Sequence, residues 1–195
     1  MKQAIEPSEL NDLERLFGSI LRRPARLELS TQSKEHWWPR LGHERRAEVV
    51  LVLPRPGGRL VLIRKPRYPA GIFRLPTGGV DPDEMVLAAA GREAYEETGL
   101  EVRPARVLGV VDWTFAHNGQ EQAFASYLCL FPTTERPLEA TDPDEDICGF
   151  KELSWHALGA IANRLKQLPP AWQSWGRQRA IPHELVMESL VAQGL

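Results

Sequence analysis

The stretch "TGGVDPDEMVLAAAGREAYEETGL", Thr77 to Leu100, decides how this chain is read. It predicts a helix that ends at Gly99, a good residue for the position just past a helix C-terminus. Within it Glu93, Glu96 and Glu97 are spaced i, i+3, i+4, so a helix places all three carboxylates on one face. Like charges at those spacings cost a few tenths of a kcal/mol per pair. Carboxylates without facing lysines are stable mainly when a cation sits among them. Mg²⁺ and Mn²⁺ take oxygen ligands and commonly bridge carboxylates to phosphates. The pair Gly78-Gly79 upstream lets backbone groups approach closely. The bland alternative is a solvated acidic face with Arg92 and Arg103 as partners.

The charge around this stretch is divided. From Arg40 to Arg74 there are nine Lys or Arg (Arg40, Arg45, Arg46, Arg55, Arg59, Arg64, Lys65, Arg67 and Arg74) against Glu44 and Glu48. From Asp81 to Glu97 six acids face Arg92 alone. A basic segment running into an acidic one suits an anionic substrate beside a metal cation. Arginines on solvated strand edges would look the same. The net charge of −2 argues against non-specific binding of a nucleic-acid polymer. No apolar run approaches the roughly 20 residues of a membrane span, and the start has no secretory pattern. Cys129 and Cys148 form no metal or redox spacing, which suits a reducing compartment, so a cytoplasmic location is expected.

Outward from the helix, residues 8–22 place Leu10, Leu13, Phe17, Ile20 and Leu21 at helical spacing behind a Ser8 cap, with Gly18 a weak point. A short strand is expected at Arg26–Ser30. The runs Ala47–Leu53 and Arg59–Arg64 flank "PRPGG" and read as a hairpin. "PRYPAGIFRLPTGG" has the composition of an ordered loop with an extended piece at Ile72–Leu75. Two strands around "HNGQ" follow, then the acidic loop "EATDPDED", the strand "ICGFKELS" and a helix from Ser154 to Leu168. Pro182 suits the start of a last helix. Strands around one central helix, then helices, indicate a mixed α/β (α+β) layered fold.

The spacing from Gly78 through Glu84, Arg92-Glu93-Ala94 and Glu96-Glu97 to Gly99-Leu100 resembles the Nudix box, G-x5-E-x7-R-E-U-x-E-E-x-G-U with U apolar, at every defining position. The lead-in "FRLPTGGV" is similar to the Leu-Pro-x-Gly-Gly run that precedes the box. The resemblance implies a Nudix αβα sandwich with a mixed β-sheet: one domain over residues 1–195, its core at about 45–168, an N-terminal extension 1–44 and a C-terminal helical extension 169–195. It also implies hydrolysis of a nucleoside diphosphate linked to another group, using Mg²⁺ or Mn²⁺. Carried over by position, Glu93, Glu96, Glu97 and the carbonyl of Gly78 match metal ligands, with Glu97 the first choice. Arg92 would orient the glutamates, and Glu84 would support them from behind. The general base is open among Glu93, Glu96 and Glu145 of the acidic loop, with Glu121 a weaker candidate.

Arg64, Lys65, Arg67 and Arg74 flank the loop before the box and could clamp phosphate oxygens, Arg74 first; strand alternation lets only some of them face the site. Trp113, Phe115 and His117 share a strand face and suit a core more than base stacking. Trp172 and Trp175 suit packing of the C-terminal extension, Cys129 reads as buried, and His36, His43, His156 and His183 have no ligand spacing. No subclass signal names a substrate beyond a small-molecule nucleotide. The terminal helices offer apolar faces for a homodimer. A nucleotide-binding sensor of the same fold is the second reading, set back by the intact box; a purely structural acidic helix is the third.

Overall fold

The computed structural model describes residues 4–31 and 44–194. A helix α1 (Pro7–Phe17) leads into strand β1 (Leu21–Glu28). Strands β2 (Ala47–Val52), β3 (Pro54–Arg55), β4 (Arg59–Arg64) and β5 (Thr77–Val80) precede helix α2 (Val86–Thr98). Then come β6 (Arg106–His117), β7 (Gln120–Leu130), β8 (Gly149–Ser154), α3 (Leu158–Lys166) and α4 (Gln173–Ala192).

One sheet runs β1-β6-β7-β2-β5, with β1–β6 and β7–β2 parallel and β6–β7 and β2–β5 antiparallel. The smaller sheet, β3-β4-β8, is antiparallel. Both faces of the larger sheet are covered, so β2 is buried at every position rather than at alternate ones. Val49 and Leu51 face the cluster containing Ala89, Ala90 and Ala94 of α2 and Leu10 and Leu13 of α1. Val50 and Val52 face the opposite cluster, with Leu185, Val186 and Leu190 of α4. Trp113 and Phe115 of β6 belong to that second core, and Trp113 Nε1 donates to Ser126 Oγ at 2.8 Å. Cys129 is buried, and both cysteines are free thiols. Among the described residues no helix is long and apolar enough to cross a membrane.

Several expectations change here. The first helix stops at Gly18, whose φ of 81° ends it, so Ile20 precedes β1 and Leu21 begins it. Its N-cap is Glu6 without a side-chain hydrogen bond, not Ser8, because Pro7 already fits the first turn. The short strand expected at Arg26–Ser30 is β1, which starts earlier. The expected hairpin of Ala47–Leu53 with Arg59–Arg64 forms only next to its turn, where Pro54-Arg55 pairs with Arg59-Leu60 and the Val61 N–H donates to the Leu53 carbonyl. The chain turns from one sheet to the other after Leu53, so β2 pairs with β5 and β7, and β4 pairs with β3 and β8. Pro182 lies inside α4, not at a start. It is buried there, and packing of α4 against β1, β6 and β7 outweighs its missing hydrogen bond. The "HNGQ" turn holds: Asn118 and Gly119 have φ of 47° and 78°, the two-residue turn that suits twisted strands. His36 and His43 lie outside the described residues.

Candidate active site

Helix α2 rests its alanines on the sheet, and that close approach buries part of its acidic face. Glu97 has no exposure and Glu93 only 4%, while Glu96 is half-buried. The helix ends as the sequence requires, with Gly99 in the left-handed region at φ 71° and its N–H donating to the Tyr95 carbonyl. Opposite lies β5, where Gly78 pairs with Val49 and Gly79 with Glu48.

Arg92 ties the acidic residues together. Nε and Nη2 donate to the two oxygens of Glu84 at 2.9 and 2.8 Å, and Nη1 donates to Glu93 Oε1 at 3.0 Å and Glu96 Oε2 at 2.8 Å. Nη2 also donates to the Gly79 carbonyl at 2.9 Å, which fixes the helix to β5. The hydrogen bonds from Arg92 hold the Glu84 carboxyl below the usual carboxylate range.

A second cation enters from β4. Val61, Ile63 and Lys65 alternate onto one side of the chain, and Val61 lies in the α2-side core. Lys65 is buried, with Nζ 2.5 Å from Glu145 Oε2 and 3.3 Å from Glu97 Oε1. The second contact is an ion pair without hydrogen-bond alignment, because Glu97 Oε1 has no hydrogen-bond partner. Glu145 ends a short turn, Pro143–Glu145, capped by the Asp142 side chain. Burial pushes its carboxyl up, but the Lys65 hydrogen bond and charge bring it below its ordinary value.

Glu93 and Glu97 go the other way. Burial raises both carboxyls to about 7, against the opposing pull of Arg92 on Glu93 and of Arg74 and Lys65 on Glu97. Glu93 Oε2 and both oxygens of Glu97 are buried with no hydrogen-bond partner. Such atoms cost about 1–3 kcal/mol each or more when charged. Hard, paired carboxylate oxygens left open in this way fit a divalent cation. The fit is not a finished cage: among the described residues no three His, Cys, Asp or Glu are grouped to hold a metal. Arg92 and Lys65 engage the same carboxylates instead.

The basic residues separate. Arg74 is turned inward, because its strand-like bridge to Ile63 aims the side chain at Tyr68. Its Nε donates to Tyr68 Oη at 2.8 Å and its Nη1 to the Leu75 carbonyl at 2.6 Å. Arg74 therefore acts on Glu97 as a buried charge rather than as an open clamp. Arg64 is half-buried with Nε lacking a hydrogen-bond partner, and Arg67 is exposed, 5.8 Å over the Tyr68 ring. Glu121 lies away from this grouping, paired with Arg26. Trp172 and Trp175 pack against each other, and Trp175 lies 4.9 Å from the Tyr68 ring.

Three residues of the surroundings escaped the sequence reading. The Arg45 side chain lies against Gly79, and its charge reaches Glu145. On α4, His183 Nε2 accepts the Leu75 N–H at 3.0 Å, and Arg179 pairs with the buried Glu48 at 2.8 Å. The last two support the box loop from behind, a long-range relation without a local signal. Lys65 could have been placed by carrying the β4 alternation one step past the strand.

Comparison with known proteins identifies the family. The NUDIX domain family model matches residues 44–176. The chain is 27% identical over 142 residues to the NAD-capped RNA hydrolase NudC of Edwardsiella ictaluri, covering 73% of this chain and 48% of that protein. It is 30% identical over 98 residues to diphosphoinositol polyphosphate phosphohydrolase 2 of Rattus norvegicus, covering 50% and 51%. The chain thus spans about half the length of these curated relatives. Among solved structures, the E. coli ORF135 protein superposes with a TM-score of 0.51 at 18% identity, over 90% of this chain and 96% of that one, a likeness of fold. With the box intact and the family model matched over 44–176, the chain belongs to the Nudix family.

Proposed function

We propose that this protein hydrolyses the diphosphate linkage of a nucleoside diphosphate joined to another group, by water attack on phosphorus, with Mg²⁺ or Mn²⁺ as cofactor. The observation that carries the proposal is Glu97: a carboxylate with no exposure and no hydrogen bond to either oxygen, beside the open Glu93 Oε2. Glu93, Glu96, Glu97 and the Gly78 carbonyl would hold the ion. When bound, it would neutralise phosphate oxygens and lower the pKa of a coordinated water. Arg92 keeps Glu93 and Glu96 in place through Glu84 and the Gly79 carbonyl. The proton of the attacking water goes to a carboxylate, and Glu93, Glu96 and Glu145 all lie in this grouping. Of the four basic residues expected to clamp phosphate, Arg67 and Arg64 are proposed to meet it, while Arg74 supports Glu97.

The relatives named above act on NAD-capped RNA and on diphosphoinositol polyphosphates. NAD and diphosphoinositols both carry phosphoanhydride bonds, the bond proposed to be broken here. The two free thiols suit a reducing compartment, and a cytoplasmic location is proposed on that ground. Phosphate release from nucleotide sugars, dinucleotides, NTPs, NAD-capped RNA and diphosphoinositols, with Mg²⁺ or Mn²⁺ and a coupled phosphatase, tests the reading. Turnover of at least one class is expected. Binding without turnover across the panel would instead favour a nucleotide sensor, the reading that the carboxylates' existing pairing with Arg92 and Lys65 supports.

A further inference from the structure

Lys65 occupies a position that is costly for a lysine. Its side chain is 5% exposed just past the end of β4, and removing an ammonium from water is costly unless opposite charge offsets it. Two carboxylates do so, Glu97 from α2 and Glu145 from the turn before β8. Arg92 does not bridge that pair, since it is committed to Glu84, Glu93, Glu96 and the Gly79 carbonyl. Glu145 acts by charge on both Glu93 and Glu97, so the three carboxylates, where ionised, repel one another unless a cation stands between them. Lys65 supplies one positive charge where a divalent ion would supply two. Glu93 Oε2 and both Glu97 oxygens remain without a hydrogen bond.

We propose that Lys65 is a resident counter-cation of this site. It holds Glu97 and Glu145 together while no divalent ion is present and gives way when one enters, so one side chain stabilises the metal-free fold and weakens metal binding. The inference rests on the metal reading of the preceding subsection. A lysine suits this role because its charge is compact and its four-carbon stem flexible, whereas an arginine fork would be held by its planar geometry. Glu145, paired with Lys65 at 2.5 Å, would become free to accept a proton only when Lys65 withdraws. Metal loading and exposure of a base would then be one event.

The test uses the full chain with Mn²⁺ alone as probe, followed by water-proton relaxation, and thermal melting in EDTA. Lys65→Gln removes the charge but keeps a hydrogen-bond donor for Glu145, and Lys65→Arg keeps the charge. Lys65→Gln is expected to bind Mn²⁺ at least about tenfold more tightly than the wild type, since a positive charge within a few ångströms of the ion is gone. The same variant is expected to melt lower in EDTA and to gain more on adding Mn²⁺. Lys65→Arg is expected to bind Mn²⁺ no more tightly than the wild type. Manganese binding that Glu97→Gln abolishes but that Lys65→Gln tightens by less than the expected factor, leaves unchanged or weakens would overturn the inference while the metal reading stands. Absence of binding in both the wild type and Lys65→Gln would overturn both.

Discussion

Gly78 lies against the carboxylate of Glu93 so closely that a methyl group on its Cα would stand 1.7 Å from Glu93 Cδ and 2.0 Å from Oε2. The main chain of β5 and the acidic face of α2 are in direct contact, and the glycine is what allows it. Gly78→Ala must push Glu93 away from Arg92. A loss of about 1–3 kcal/mol is expected, as for overpacking a tight core. Turnover should fall further than stability alone explains. Urea denaturation and phosphate release on the same preparation measure the two effects.

Glu97→Gln keeps the shape of the side chain and removes its charge. Turnover is expected to fall by orders of magnitude with the circular dichroism spectrum unchanged. The metal-free protein should melt no lower than the wild type, because for the charged Glu97 the loss of water outweighs the pull of Arg74 and Lys65. Near-normal turnover would take Glu97 out of the proposed metal site.

Arg92→Lys retains a positive charge but not the fork that reaches Glu84, Glu93, Glu96 and Gly79 together. Groups that orient metal ligands are commonly worth roughly 10–100-fold in affinity or activity. A loss in that range is expected in kcat or Mn²⁺ affinity, with a smaller change in melting temperature. Equal activity of the two proteins would show that the fork is not needed.

The pH dependence of stability has a definite sign. Glu93 and Glu97 are raised to about 7, so the folded chain binds their protons more tightly than the unfolded chain does. The stabilisation is complete at low pH and is lost as pH rises through about 7. His183, buried and lowered to about 4, acts oppositely below its ordinary value of 6.5, so the window above that isolates the glutamates. In EDTA the melting temperature is expected to fall from about pH 6.5 to pH 8, and to fall less in Glu93→Gln/Glu97→Gln. An equal slope in both proteins would assign the titration elsewhere.

Glu48 and Arg179 form a buried pair, and Ser126 Oγ donates to the same carboxylate at 2.6 Å. Arg179→Met strands that charge in the core and is expected to cost roughly 3–5 kcal/mol, with Glu48→Gln/Arg179→Met costing less than the single change. A double-mutant cycle in urea gives the coupling. Additive losses would mean that the pair does not bind α4 to the sheet.

The sequence alone determined the local features. The box spacing sets which residues share the acidic helix face, because a helix converts spacing into direction. Gly99 stops the helix, and Asn118-Gly119 makes the hairpin turn, because positive φ is cheap only for such residues. It could not determine which strands pair. β2 and β4 look like one hairpin over a short window, yet only the residues next to the turn pair, and distant segments take the rest: β5 and β7 pair with β2, and β8 pairs with β4. Pro182 follows the same rule: local propensity says start, while packing carries the helix through it. Tertiary structure alone also sorted the cations. Arg74 and Lys65 have similar sequence surroundings, yet the bridge to Ile63 turns one toward Tyr68 while the β4 alternation sends the other between Glu97 and Glu145. A helix or turn is fixed by neighbours a few residues away. The partner of a buried charge is fixed by which distant segment folding brings within about 3 Å.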